Sequence, residues 1–162
     1  MAADVSETTG EKFYSGSFQE LQGVLRVLNI GEGKLALVTE AMTNNYQQTV
    51  DREIDALLGP LYHVPLRAMN QVQPDGTLKR VFPGDIHRLA LYWTAGLMLL
   101  SEFQNLSQNV TDQAQSYIDD SRKALFAVVR FNHRIPGQEA KSHISRTVPP
   151  NMQPPAIPEA NF

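Results

Sequence analysis

Asp51, Glu53 and Asp55 lie within five residues at the head of the stretch DREIDALLGPLYHVPL, residues 51–66. Carboxylates this close can do acid–base work if burial or mutual repulsion drives two of their pKa values apart. On a helix Asp51 and Asp55, four residues apart, share a face while Glu53 points away. Catalysis would also need a dry cleft and a partner side chain, and the neighbouring sequence announces neither. The simpler reading is a solvated face whose charge partners are Arg52 and a neighbouring subunit. His63, His87, His133 and His143 are scattered, without the H-x-x-x-H or H-E-x-x-H spacing that sets two imidazoles on one helical face, so no metal site is expected. His87 reads as a surface or interface residue rather than a base. With no cysteine, a thiolate nucleophile, a cysteine-held zinc and a disulfide framework are all excluded. Gly31-Glu-Gly33-Lys34 falls short of G-x-x-x-x-G-K-[ST], and no G-x-S-x-G occurs. The chain therefore reads as a non-enzyme that needs no cofactor.

These residues must be carried by helices. Ser17-Phe-Gln-Glu20 is an S-x-x-E capping box, followed by the apolar stripe Phe18, Leu21, Leu25 and Leu28 until Gly31 and Gly33 interrupt it. A second helix is predicted from about Lys34 to Leu58, on Leu35, Val38, Met42, Tyr46, Val50, Ile54 and Leu57. Gly59-Pro60 ends it, glycine by admitting a left-handed cap and proline by breaking the hydrogen-bond ladder. Pro74-Asp75-Gly76 is a turn signal between Val72 and Leu78, so residues of about 66–83 should form a two-stranded hairpin or a long ordered loop. Such a hairpin is marginal alone and should lean on a helix or a neighbouring subunit. A third helix starts at Asp85, read as its N-cap, and is apolar nearly all round, which predicts that part of it, including Trp93 and Leu97, meets another subunit. A fourth, about Asp112 to Phe131, carries Ala114, Tyr117, Ile118, Ser121, Leu125 and Val128 in register.

The expected fold class is mainly α: a four-helix (or five-helix) bundle protomer with that hairpin or loop between helices 2 and 3, and an extended C-terminal arm. Residues 1–12 read as a flexible N-terminus, 13–131 as the helical domain and 132–162 as the arm. The arm holds six of the ten prolines and shows no helical period, so it should build no core of its own. Residues 1–121 carry 8 Lys/Arg against 15 Asp/Glu, and 122–162 carry 6 against 2. An acidic body with a basic arm favours a C-terminal segment that docks on an acidic surface or on nucleic acid, over a protein that coats DNA with its whole body. The longest apolar run, LALYWTAGLMLL from Leu89 to Leu100, falls short of the roughly 20 residues that cross a bilayer, so no membrane is expected. The start MAADVSETTG lacks the basic and apolar regions of a leader, which predicts an intracellular product. Asn105 and Asn109 head glycosylation patterns that carry no weight without a secretory route.

Three segments resemble the head-to-tail adaptor (connector, head-completion) proteins of tailed bacteriophages. DREIDALLGPLYHVPL is similar to that family's E-I-D-x-x-L helix end, which exits through a tyrosine and a P-L pair, at Asp51, Glu53, Ile54, Asp55, Leu58, Tyr62, Pro65 and Leu66. DIHRLALY is similar to the D-I-x-R-x-x-L-Y start of the next helix, at Asp85, Ile86, Arg88, Leu91 and Tyr92. FYSGSFQELQGVL resembles, more weakly, the family's opening segment. The resemblance spans roughly residues 13–130; the insertion NQVQPDGTLKR and the proline-rich arm have no matched counterpart. It implies a virion neck protein, made in the host cytoplasm, that forms a homo-oligomeric ring of twelve-fold symmetry beneath the portal protein. Such a ring joins a tail-side neck or tail-completion protein and leaves a channel through which DNA passes without sequence recognition. On that reading Asp51, Arg52, Asp55, Trp93 and Leu97 would face a subunit contact or the lumen. Arg130, Arg134, Lys141 and Arg146 would dock the arm on the portal or a neighbour. The alternative is a small helical DNA-binding or packaging accessory protein acting through its basic tail.

Overall fold

A computed structural model describes residues 12–28, 30–103, 106–131 and 133–141. Its elements are α1 (Phe18–Val27), α2 (Glu32–Leu35), α3 (Glu40–Leu58), β1 (Met69–Val72), β2 (Leu78–Val81), α4 (Gly84–Glu102) and α5 (Gln108–Phe131). The described residues are mainly helical with one small antiparallel hairpin. No described helix is long and apolar enough to cross a membrane.

α1, α3 and α5 start where a side chain satisfies a free amide. Ser17 and Glu20 close the predicted capping box, with the Glu20 amide donating to Ser17 Oγ (3.3 Å) and the Ser17 amide to Glu20 Oε2 (2.8 Å). The predicted 34–58 helix is instead two: Thr39 interrupts it by accepting from the Met42 amide (3.3 Å), so that α2 is a single short turn and α3 begins at Glu40. At its far end Gly59 stays right-handed (φ −52°), not left-handed, and its amide still donates to the Asp55 carbonyl (2.8 Å). α4 begins at Gly84 behind Pro83, without the side-chain cap expected of Asp85. α5 begins four residues before Asp112 because Ser107 caps it: its carbonyl takes the Thr111 amide and its hydroxyl the Val110 amide. In the hairpin Val72 pairs with Leu78. Asp75 Oδ1 accepts from both the amide and the hydroxyl of Thr77 (2.9 and 2.6 Å), which closes the turn.

α4 is the central element and touches α1, α3 and α5. Trp93, Ala90 and Ile86 enter one apolar cluster with Val50, Ile54 and Leu58 of α3 and Leu125 of α5. Ala95, Met98 and Leu99 enter a second with Leu21 and Leu25 of α1. Burying each large side chain stabilises by about 1.5–3 kcal/mol. The all-round apolar character of α4 is thus answered inside a single chain, and a subunit contact is not needed to explain it. At Gly96 an added Cβ would lie 2.6 Å from the Ala114 carbonyl, so α4 and α5 approach too closely there for any side chain.

The arm boundary at 132 also shifts. Residues 133–141 fold back along the 59–67 exit from α3. Ile135 is buried, Ala140 bridges to Tyr62, and the Lys141 amide donates to the Leu61 carbonyl (2.8 Å). Gln138 holds Arg67 from both sides, accepting from its amide (2.8 Å) and donating to its carbonyl (2.7 Å). What lacked a helical period had no need of one, because extended backbone can dock on extended backbone.

Candidate functional site

The carboxylates that open the sequence motif sit on the inner side of α3, facing the segment that leads into α1. Tyr14 lies across them. Its amide donates to both oxygens of Asp51 (3.3 Å each), and its hydroxyl donates to Asp55 Oδ1 (2.5 Å) while accepting from the Leu66 amide (2.7 Å). The Tyr14 carbonyl meets His87 Nδ1 (2.9 Å), and His87 Nε2 stands 3.8 Å from Glu20 Oε1. One turn up α3, the buried Gln47 amide donates to Ser15 Oγ (2.8 Å) and to the Gly16 carbonyl (3.1 Å). Gly16 can take this path because its φ is +79° and because a Cβ there would strike Glu20 and His87. One short segment therefore ties the start of α1 to α3, to the loop with the cis Val64–Pro65 bond and to the first turn of α4.

Burial sets the electrostatics. Desolvation pushes the Asp51 carboxyl up to about 7, helped by the nearby Asp55 charge and opposed by the Tyr14 amide. Asp55 is raised for the same reason, with the Tyr14 hydrogen bond working against it. The Tyr14 hydroxyl is raised well beyond its ordinary range, first by burial and then by its bond to Asp55. The solvated-face reading of Asp51 and Asp55 is corrected here: both are half-buried and engaged within the protomer. Chemically the pair is a hydrogen-bonded knot around Tyr14 rather than an open acid–base site. The groove beside it, of about 560 Å³, is lined by Glu20, His87 and hairpin residues but by neither aspartate. Among the described residues no group of three His, Cys, Asp or Glu could hold a metal ion.

The remaining expected site residues fall apart in space. Arg52 is exposed on α3. Glu53, which points away from the knot as its spacing predicts, pairs with Arg122 (3.2 Å), whose guanidinium also sits 5.1 Å over the Trp93 ring. Trp93 is fully buried in the core, so the interface or lumen role expected of it is overturned; Leu97 is half-buried against the same cluster. On the arm, Lys141 Nζ donates to the Gly59 carbonyl (2.5 Å), which spends one of the expected portal-docking charges inside the protomer. Arg130 stacks over Phe131 (5.7 Å), Arg134 is exposed, and Arg146 lies outside the described residues, as does Asn105.

Two apolar surfaces that the motif reading passed over are left uncovered. Val72 and Leu78 face each other across the hairpin, 68% and 49% exposed. Phe126 and Phe131, 54% and 66% exposed, lie on the last turns of α5. The signal for the first was available in the sequence, because apolar residues flanking a tight turn have nothing in the hairpin to bury them. Compared with protein-family models, curated proteins and solved structures, the chain has no match in any of the three.

Proposed function

We propose that the protein is a structural neck component of a tailed phage virion, a helical-bundle protomer that closes with its copies into a ring between portal and tail. The observation that carries this reading is where the three resembling segments meet. They lie far apart in the chain, yet each contributes directly to the Tyr14 knot. FYSGSF brings Tyr14, the helix-end motif brings Asp51, Asp55 and Leu66, and DIHRLALY brings its matched Ile86 into the apolar cluster that holds Tyr14 and Leu66, next to His87 at the variable position of that motif. Motif residues of an enzyme would be expected to surround a cleft. These surround one another, as residues that fix the relative placement of helices do.

A ring contact is heterologous, so each protomer needs two different sticky faces. The hairpin pair Val72 and Leu78 and the α5 pair Phe126 and Phe131 are available for that role, in place of the buried α4 surface. DNA would then pass through the ring without sequence recognition, past an acidic body that repels phosphate. The test is assembly. Sedimentation velocity and negative-stain imaging of the protein mixed with portal should show rings bound to the portal vertex. A strict monomer that never binds portal would overturn the reading, and steeply salt-dependent binding of the isolated protein to duplex DNA would point instead to a packaging accessory.

A further inference from the structure

Between α4 and α5 runs an open groove of about 520 Å³, walled by Leu89, Tyr92, Tyr117 and Val128. It continues into a second cavity of about 480 Å³ that shares Asp85, Ala124 and Val128 with the first and is closed at its end by Ile135 and Pro136. The Tyr92 and Tyr117 rings meet edge to face, with centroids 4.9 Å apart, and both side chains are half-buried, leaving aromatic surface on the groove wall. Asp85 and Asp120 stand on its rim with Arg88, and Arg134 stands at the far end. The Asp120 carboxylate accepts from Ser116 Oγ (2.9 Å) and has Lys123 Nζ at 3.9 Å, an exposed pair of little strength. An apolar trough with paired aromatic rings is the chemistry that receives a proline-rich strand. Such a strand is already extended, so little conformational entropy is lost on docking.

The same chain carries such a proline-rich sequence. Arg146-Thr-Val-Pro149-Pro150-Asn-Met-Gln-Pro154-Pro155 lies outside the described residues, and its stretch from Thr147 to Pro158 bears no charge. We propose that residues 146–155 dock in the α4/α5 groove of their own chain, with Pro149-Pro150 against Ala124 and Val128, Pro154-Pro155 on the two tyrosines, and Arg146 at Asp85. Two lengths agree with this placement. From Pro149 to Pro155 a polyproline strand advances about 19 Å at roughly 3.1 Å per residue, and from Tyr117 to Val128 α5 advances about 17 Å at roughly 1.5 Å per residue. The start is within reach as well. Lys141 is held at Leu61, Ala140 pairs with Tyr62, and the Tyr62 hydroxyl touches His133 and Ile135, which line the same cavity as Asp85. Five extended steps beyond Lys141 cover about 17 Å.

This inference stands apart from the ring, because a chain docking on itself needs no second copy. The test uses the full chain with a benzophenone photo-crosslinker in place of Met152, mixed from ¹⁴N and ¹⁵N preparations and irradiated at increasing dilution. Crosslinks should fall on tryptic peptides 89–122 and 124–130, join only chains of one label, and persist on dilution. Ala124→Arg, an exposed position on α5 that fills the groove without touching the core, should reduce them at least five-fold. Replacing Pro149, Pro150, Pro154 and Pro155 by serine should do the same. Crosslinks spread over the whole surface, crosslinks insensitive to Ala124→Arg, or crosslinks that join differently labelled chains in statistical proportion would each overturn the proposal.

Discussion

The Tyr14 hydroxyl lies 2.5 Å from Asp55 Oδ1 and donates to it, although the two residues are 41 positions apart. The same oxygen accepts from the Leu66 amide, so one hydroxyl links the segment before α1, the face of α3 and the loop beyond it. A buried group that both donates and accepts is hard to replace, because its loss orphans two partners at once.

Tyr14→Phe keeps the ring and its edge contact with Phe82 but removes that hydroxyl. The Leu66 amide is buried and loses its acceptor, so urea unfolding should show a loss of about 1–3 kcal/mol. A loss below about 0.5 kcal/mol would mean that the knot does not hold these segments together.

The knot also makes stability depend on pH. Asp51 titrates near 3.8 when unfolded and is raised to about 7 in the fold. The folded state therefore favours the protonated carboxyl. Its contribution is most favourable below about pH 4 and is lost as pH rises towards 7 and through it. Asp51→Asn removes the charge while keeping an oxygen for the Tyr14 amide. The variant should gain on the order of 1 kcal/mol over the parent at pH 8, after discounting for solvent, and nothing at pH 4. Thermal melts of both proteins across that range check the sign.

Much of this architecture could be read from the sequence, and the failures have physical causes. The Ser17 capping box, the turn at Pro74-Asp75-Gly76 and the inward face of α5 each rest on local rules that tertiary packing did not disturb. On α3 the apolar stripe points to Met42 and Tyr46, whereas the buried residues are Thr43 and Gln47. Apolar periodicity could not show that Gln47 is buried in order to bind Ser15 and Gly16, since a satisfied polar side chain looks like a surface one. Asp51 and Asp55 look solvated in the sequence because their partner, Tyr14, is remote from them along the chain. An all-round apolar helix suggests a subunit contact for Trp93, yet α1, α3 and α5 suffice to cover α4.

The folded-back arm separates two truncations. Ending the chain after Lys141 keeps every contact described for 133–141 and removes only the strand proposed to dock in the α4/α5 groove, so the unfolding free energy should fall by about 1 kcal/mol. Ending it after Phe131 exposes the surface that covers Ile135 and strips the Tyr62 hydroxyl of both its partners. That should cost about 3 kcal/mol or more, read as a shift in the urea midpoint.

Gly96→Ala tests the closest approach of α4 and α5. Alanine favours a helix by up to about 1 kcal/mol over glycine, but its methyl group would collide with the Ala114 carbonyl and with Ile118. Backbone cannot yield as a side-chain tip can, so a net loss of about 1–3 kcal/mol is expected in chemical denaturation. A gain in stability would show that the two helices can move apart at no cost.

The proposed ring makes a demand on the hairpin that stability alone does not. Val72 and Leu78 are mutually paired, largely exposed and remote from both apolar clusters, so Val72→Ser with Leu78→Ser should change the melting temperature little. If the pair is one of the two faces of a heterologous contact, the same double variant should abolish the rings seen with portal while leaving the protomer folded. The two measurements separate the alternatives. A large drop in stability would place the pair in the protomer's own core, and unchanged rings would remove the hairpin from the interface. Rings lost with the fold intact is the result expected of residues that a second copy covers.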